Sequence, residues 1–129
     1  MSILLTARAK QFAAHTAIIA SAGSFTYQQL LNASGRVAAF LLDGREDLQE
    51  RPVAFLAPPG FQYVALQWGI WRAGGIAVPL SLFHPRPELA YMVDDTTPAA
   101  VLAHPEFVDL AGSIALARGL RFARSTEAL

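Results

Sequence analysis

The 129-residue chain carries ten basic against ten acidic side chains and no cysteine. That balance leaves no basic stripe for nucleic-acid binding, and the missing thiols remove disulfides, thiolate metal sites and cysteine nucleophiles. A hydrophobic fraction of 53% and a mean hydropathy of +0.35 are high for a domain that must cover itself with polar groups, so the expectation is either a parallel sheet covered on both faces or a surface that belongs against something else.

The N-terminal run, MSILLTARAK, is too short for a signal peptide and too polar for an anchor, and residues 3–14 read as a short helix. Residues 17–20, AIIA, read as a strand, SAGS as a turn holding Gly23 and Ser24, and Phe25 as the start of a second strand completing a hairpin. Thr26-Tyr27-Gln28-Gln29 has the form of a capping box, with Phe25 and Leu30 placed as a hydrophobic staple. The helix it opens should run to about Leu42, with Leu30, Ala33, Val37 and Leu41 on one face.

Residues 43–51 are read as a charged, solvated loop. Residues 52–71 are uncharged and long enough to cross a bilayer, but Pro58-Pro59-Gly60 interrupts them. They are therefore predicted to be a strand, PVAFLA, a turn, and a buried helix carrying Phe61, Val64, Ala65, Trp68 and Trp71; no membrane span is expected. Gly74-Gly75 ends that helix, Arg72 sits in its last turn where a cation suits the dipole, and Ile76–Val78 forms the next strand with Pro79 at its end. A short helix over residues 88–93 is stopped by Asp94-Asp95, residues 99–103 form another buried strand, Pro105 opens a further helix ended by Gly119, and residues 120–122 form a last strand. Strands alternating with helices predict an α/β fold, a Rossmann-like parallel sheet flanked by helices, in one domain spanning residues 1–129.

No residue is assigned a catalytic, cofactor-binding or metal-ligating role. A phosphate loop follows a strand and opens a helix, whereas Gly74-Gly75 follows a helix and opens a strand, which predicts a helix C-cap. His15, His84 and His104 lack metal-ligand spacing and read as loop residues. Asp94-Asp95 has the carboxylates Mg²⁺ favours, but its position reads as a solvated helix stop. Ser24 and Ser34 lie in no nucleophile elbow, and Trp68 and Trp71 belong to a core stripe rather than a stacking platform.

Two motifs carry a resemblance. FTYQQL, Phe25–Leu30, resembles the first core motif of adenylate-forming enzymes, L-[TS]-Y-x-E-L, with Gln29 in place of Glu. WRAGGIAVPLS resembles their second, L-K-A-G-x-A-Y-x-P-[LI]-D: Ala73, Gly74, Ala77, Pro79 and Leu80 match, while Trp71, Arg72, Val78 and Ser81 depart from it. The likeness runs from about Ala17 to Phe107, and the longer QWGIWRAGGIAVPLSLFHP resembles the acyl-CoA synthetases, the malonyl-CoA synthetase branch in particular.

The resemblance implies activation of a carboxylic acid by ATP to an acyl-adenylate, then transfer to the thiol of coenzyme A, with ATP, Mg²⁺ and CoA bound by the full-length enzyme. It also marks this chain as an N-terminal segment of a larger AMP-binding domain. The lysine-bearing phosphate loop, the ribose-binding Asp motif and the C-terminal catalytic Lys have no counterpart here, and the sole lysine, Lys10, precedes both motifs. The chain alone is therefore expected to be inactive and to bind no cofactor. Its expected partners are the remainder of the parent enzyme or a second copy, met through an apolar face, and its expected location is the cytoplasm. The alternative is a small non-catalytic module that binds a nucleotide or acyl group, or a structural protein dependent on a partner.

Overall fold

The computed structural model describes residues 3–129. Helix α1 spans Leu4–Gln11, shorter than expected, with Phe12 as its C-cap. Strands β1 (Thr16–Ala20) and β2 (Gly23–Thr26) form an antiparallel hairpin. Its turn is Ser21-Ala22, so Ser24 lies in β2 opposite Ile19 rather than in the turn.

Helix α2, Tyr27–Leu42, begins at the expected capping box. The Gln29 N–H donates to Thr26 Oγ1 at 3.2 Å, and the Thr26 N–H donates to Gln29 Oε1 at 2.7 Å. Two otherwise orphaned amides are thereby satisfied. Phe25 stacks its ring on Phe61, and Leu30 is buried beside Trp68.

Strand β3 (Pro52–Leu56), helix α3 (Phe61–Arg72), strand β4 (Ile76–Pro79), helix α4 (Arg86–Thr96), strand β5 (Ala100–Ala103), helix α5 (Val108–Ala117), strand β6 (Arg121–Arg124) and helix α6 (Ser125–Ala128) follow. A 3-10 turn, Pro105–Phe107, leads into α5. The four strands form a parallel sheet in the order β4-β3-β5-β6. β3 and β5 are the central strands and lie almost wholly out of solvent, which is why both read as unbroken apolar runs.

The period of two divides the core. Val53 and Phe55 of β3 pack with Leu66 and Ile70 of α3 and Val37 of α2. Ala54 and Leu56 point the other way, to Leu89 and Val93 of α4 and Ala111 and Ile114 of α5. A third cluster joins α1, α2 and α3 through Ala9, Leu30, Ala65 and Trp68, so Trp68 is a core residue as expected.

Three expectations need correction. Asp94 and Asp95 lie inside α4; the helix ends where Thr97 turns left-handed at φ 42°, just before Pro98. The last strand starts one residue later than expected and is followed by α6, four residues too short to carry a periodic signal. The loop at residues 43–51 is not simply solvated, because Leu48 is buried and the Leu48 and Glu50 amides donate to the Ala73 and Gly74 carbonyls at 2.9 and 2.8 Å.

Helices α2 and α3 approach closely at Gly69. A Cβ there would collide with Val37 and come within 3.0 Å of the Ser34 carbonyl oxygen. Gly69→Ala should lower stability by about 1–2 kcal/mol, overpacking outweighing the better helix propensity of alanine. Val37→Ala in the same chain should relieve part of the loss, a non-additivity measurable by urea unfolding of the two single variants and the double variant.

Candidate functional site at the carboxyl ends of the sheet

The chain leaves β3 for β4 on one side, then returns past β3 to place β5 on the other. In open α/β sheets such a reversal leaves a crevice beyond the carboxyl ends of the two strands, the usual seat of ligands. Here that crevice is a cleft of about 360 Å³. Pro58, Pro59 and Gly60 reach it from β3, His104 from β5, and Ser21 and Phe25 from the β1–β2 hairpin.

Each wall has a local cause. Gly60 opens α3 at φ 152°, ψ −164°, a region only glycine enters readily. That lets the chain turn sharply out of the sheet and aim the first turn of α3 at the cleft. The Phe25 and Phe61 rings stack with centroids 4.4 Å apart and planes 20° from parallel, tying hairpin to helix. Gln62 Oε1 accepts from the buried Ser125 hydroxyl at 2.9 Å, which fixes its amide and leaves the Nε2 group as donor. His104 Nδ1 accepts from the Glu106 N–H at 3.2 Å, so in the neutral ring the proton sits on Nε2.

The cleft therefore offers hydrogen-bond donors and an aromatic wall. Among the described residues no carboxylate, lysine or arginine lines it. Its donors are suited to holding an acceptor group.

The other residues weighed from sequence fall elsewhere. Gly74-Gly75 is a helix C-cap, in the form of a Schellman motif. Gly74 is left-handed at φ 84°, its N–H donates to the Trp71 carbonyl, and the Gly75 N–H donates to the Ile70 carbonyl, both at 2.9 Å. Arg72 does more than face the dipole: Nη1 reaches across to the Leu31 carbonyl at 2.7 Å and Ser34 Oγ at 2.9 Å. Burial lowers its pKa from the ordinary arginine value. Ser34 is thus a buried structural hydroxyl within α2, and Ser24 is exposed on β2.

His15 packs edge-on against Phe12, and exposed His84 lies 3.8 Å from Glu88. Trp71 is half-buried and Lys10 is exposed on α1. Among the described residues no three histidine, aspartate or glutamate side chains gather as a metal would require. Of the three histidines, read from sequence as loop residues, His104 is the one the structure carries into the cleft, where it joins Gln62, which sequence reasoning passed over, and Phe25 and Phe61, which it read only as packing residues. The available signal was that Pro58-Pro59-Gly60 and His104 each follow a fully buried strand.

The comparisons with known proteins now bear on the fold. The family described as AMP-binding enzyme matches residues 5–126. The chain belongs to the AMP-binding enzyme family. Malonate–CoA ligase ACSF3, mitochondrial, of Bos taurus is 36% identical over 117 residues, covering 88% of this chain and 20% of that protein. The human protein of the same name is 33% identical over 126 residues, covering 95% and 22%. This chain thus spans about a fifth of the length of the curated relatives it matches. Among solved structures, apo MatB of Rhodopseudomonas palustris superposes with a TM-score of 0.79 at 27% identity, covering 99% of this chain and 28% of that one. VinN in complex with 3-methylaspartate gives 0.82 at 26% identity, covering 96% and 34%. The resemblance to the malonyl-CoA synthetase branch and the Rossmann-like parallel sheet are both borne out. Among the described residues no helix is long and apolar enough to cross a membrane.

Two outcomes test the local geometry. Gly74→Ala should lower stability by about 1–2 kcal/mol, the cost of a left-handed alanine, because the new Cβ would also strike the Asp47 carboxylate; thermal unfolding would show it. Asp94 accepts from Arg118 Nε at 2.5 Å and from Nη2 at 3.1 Å, joining α4 to the C-cap of α5. These hydrogen bonds, aided by the guanidinium charge, hold the Asp94 carboxyl below its ordinary pKa. A depressed carboxylate stabilises the fold above its unfolded pKa and loses that contribution as pH falls through the folded value. Arg118→Gln should return the Asp94 titration, followed by carboxyl ¹³C NMR, to the ordinary aspartate range.

Proposed function

We propose that this chain is the N-terminal portion of an acyl-CoA synthetase of the malonate–CoA ligase type, one piece of a larger AMP-binding domain. The observation that carries the reading is the 36% identity to a malonate–CoA ligase over 88% of the chain. The reaction is joining of malonate to ATP with release of pyrophosphate, then displacement of AMP by the thiol of CoA. ATP and CoA are its co-substrates, and Mg²⁺ accompanies the nucleotide.

Within that enzyme these residues are scaffold. Adenylyl transfer needs cations and amide donors placed around charged oxygens. The lining of the cleft has neither a cationic side chain for a triphosphate nor a carboxylate for Mg²⁺, so its residues do not fit those groups. The catalytic, nucleotide-binding and metal-binding residues belong to other segments of the polypeptide. Exposed Leu4, Ile19 and Phe83, and the sheet edges β4 and β6, are the surfaces those segments would cover.

The test is malonate-dependent ATP–pyrophosphate exchange, with the intact mass of the polypeptide in its source measured alongside. A product several times longer than this chain that exchanges with malonate, while the 129-residue chain does not, is the expected result. Robust exchange by the short chain, or a long product indifferent to malonate, would overturn the proposal.

A further inference from the structure

The opposite end of the sheet has a different character. At the amino ends of β3, β5 and β6 lies a cavity of about 260 Å³. Its charged lining is Arg45, Arg51, Arg121 and Asp43, and Leu41 and Val53 contribute to its apolar part. The other acids of the neighbouring loop, Glu46, Asp47 and Glu50, do not line it.

Arg121 is held in place. Its Nη1 donates to the Leu41 carbonyl at 3.1 Å and its Nη2 to the Phe40 carbonyl at 2.8 Å, and its guanidinium lies 4.5 Å from the centre of the Phe40 ring. These bonds offset the negative end of the α2 dipole, which would otherwise oppose an anion. Arg45 and Arg51 make no side-chain hydrogen bond or ion pair among the described residues, and Asp43 is paired with none of the three arginines. Three guanidinium groups and one carboxylate leave the lining at +2.

We propose that this cavity binds a small phosphate dianion, either inorganic phosphate or the phosphoryl end of a monoester. A phosphoryl group carries a charge of about −1.5 to −2 at neutral pH, which matches the lining, and guanidinium forks suit its oxygens. A carboxylate would leave half of the charge unmet. The site lies at the end of the sheet away from the cleft and stands independently of the enzymatic reading.

The experiment is a ¹H–¹⁵N NMR titration of the whole chain with inorganic phosphate, then with glycerol 3-phosphate, each at constant ionic strength against chloride. Saturable shifts at the Val53, Ala99 and Ala100 amides, distinct from the chloride response, are expected. Arg45→Gln and Arg51→Gln, on a loop outside the sheet, should each weaken binding about tenfold, and Asp43→Asn should tighten it. Binding of phosphate alone marks a free-ion site, and equal or tighter binding of the monoester marks a phosphorylated metabolite. Shifts that only follow ionic strength, or an affinity unchanged in the Arg45→Gln/Arg51→Gln double variant with its spectrum otherwise native, would overturn the proposal.

Discussion

The contact on which the rest of the structure depends is the close approach of α2 and α3 at Gly69. Without a side chain there, α3 lies directly against Val37 and the Ser34 carbonyl. The Arg72 guanidinium then reaches Leu31 and Ser34 from one turn further along, so the same pair of helices is packed at one point and hydrogen-bonded at the next. Both ends of α3 inherit their positions from this contact. Its first turn is delivered to the cleft through Gly60, and its last turn is delivered to the Gly74-Gly75 corner that starts β4.

That corner is also where the loop after α2 is fixed. Gly74 has no Cβ to strike Asp47, and the Ala73 and Gly74 carbonyls accept the Leu48 and Glu50 amides. Gln49 and Glu50 hold left-handed backbone at φ 55° and 63°, compensated by these bonds and by the Asp47 carboxylate accepting the Gln49 N–H at 2.6 Å. The second family motif therefore has a mechanical role. It terminates a helix, starts a strand and docks a loop within five residues, and this explains why a motif without a reactive side chain identifies the fold.

What was legible in the sequence was what is local. The capping box acts over three residues, the Schellman glycines over five, and the apolar runs of β3 and β5 report burial on both faces wherever the strands lie. The cleft was not legible, because it exists only once β5 pairs with β3 instead of with β4, the strand before it in the sequence. For the same reason Asp94 read as a stop signal: its partner Arg118 is 24 residues away, and nothing local announces it. The loop at residues 43–51 was misread because composition records charge, whereas its order comes from backbone bonds to a corner more than twenty residues later.

The basic residues show how charge is distributed between structure and site. Nine of the ten are arginine, and the fork of a guanidinium can reach backbone carbonyls, among them those that a helix end leaves open. Arg36 donates to the Leu129 carbonyl, Arg118 to Ile114, Arg121 to Phe40 and Leu41, and Arg72 to Leu31. These are structural donors, and in Arg121 two nitrogens of one rigid planar group each meet a separate carbonyl. Arg45 and Arg51 differ from them in bonding to no carbonyl and in sharing a cavity with the most firmly held arginine of the group. Two unoccupied guanidinium groups beside one fixed in place form an asymmetric arrangement, in which the fixed cation sets the location and the two loop cations supply the remaining attraction. The carboxyl-end cleft has the reverse composition, donors without charge. One sheet thus presents two chemically distinct ends, and the difference arises from which loops its strand order brings together.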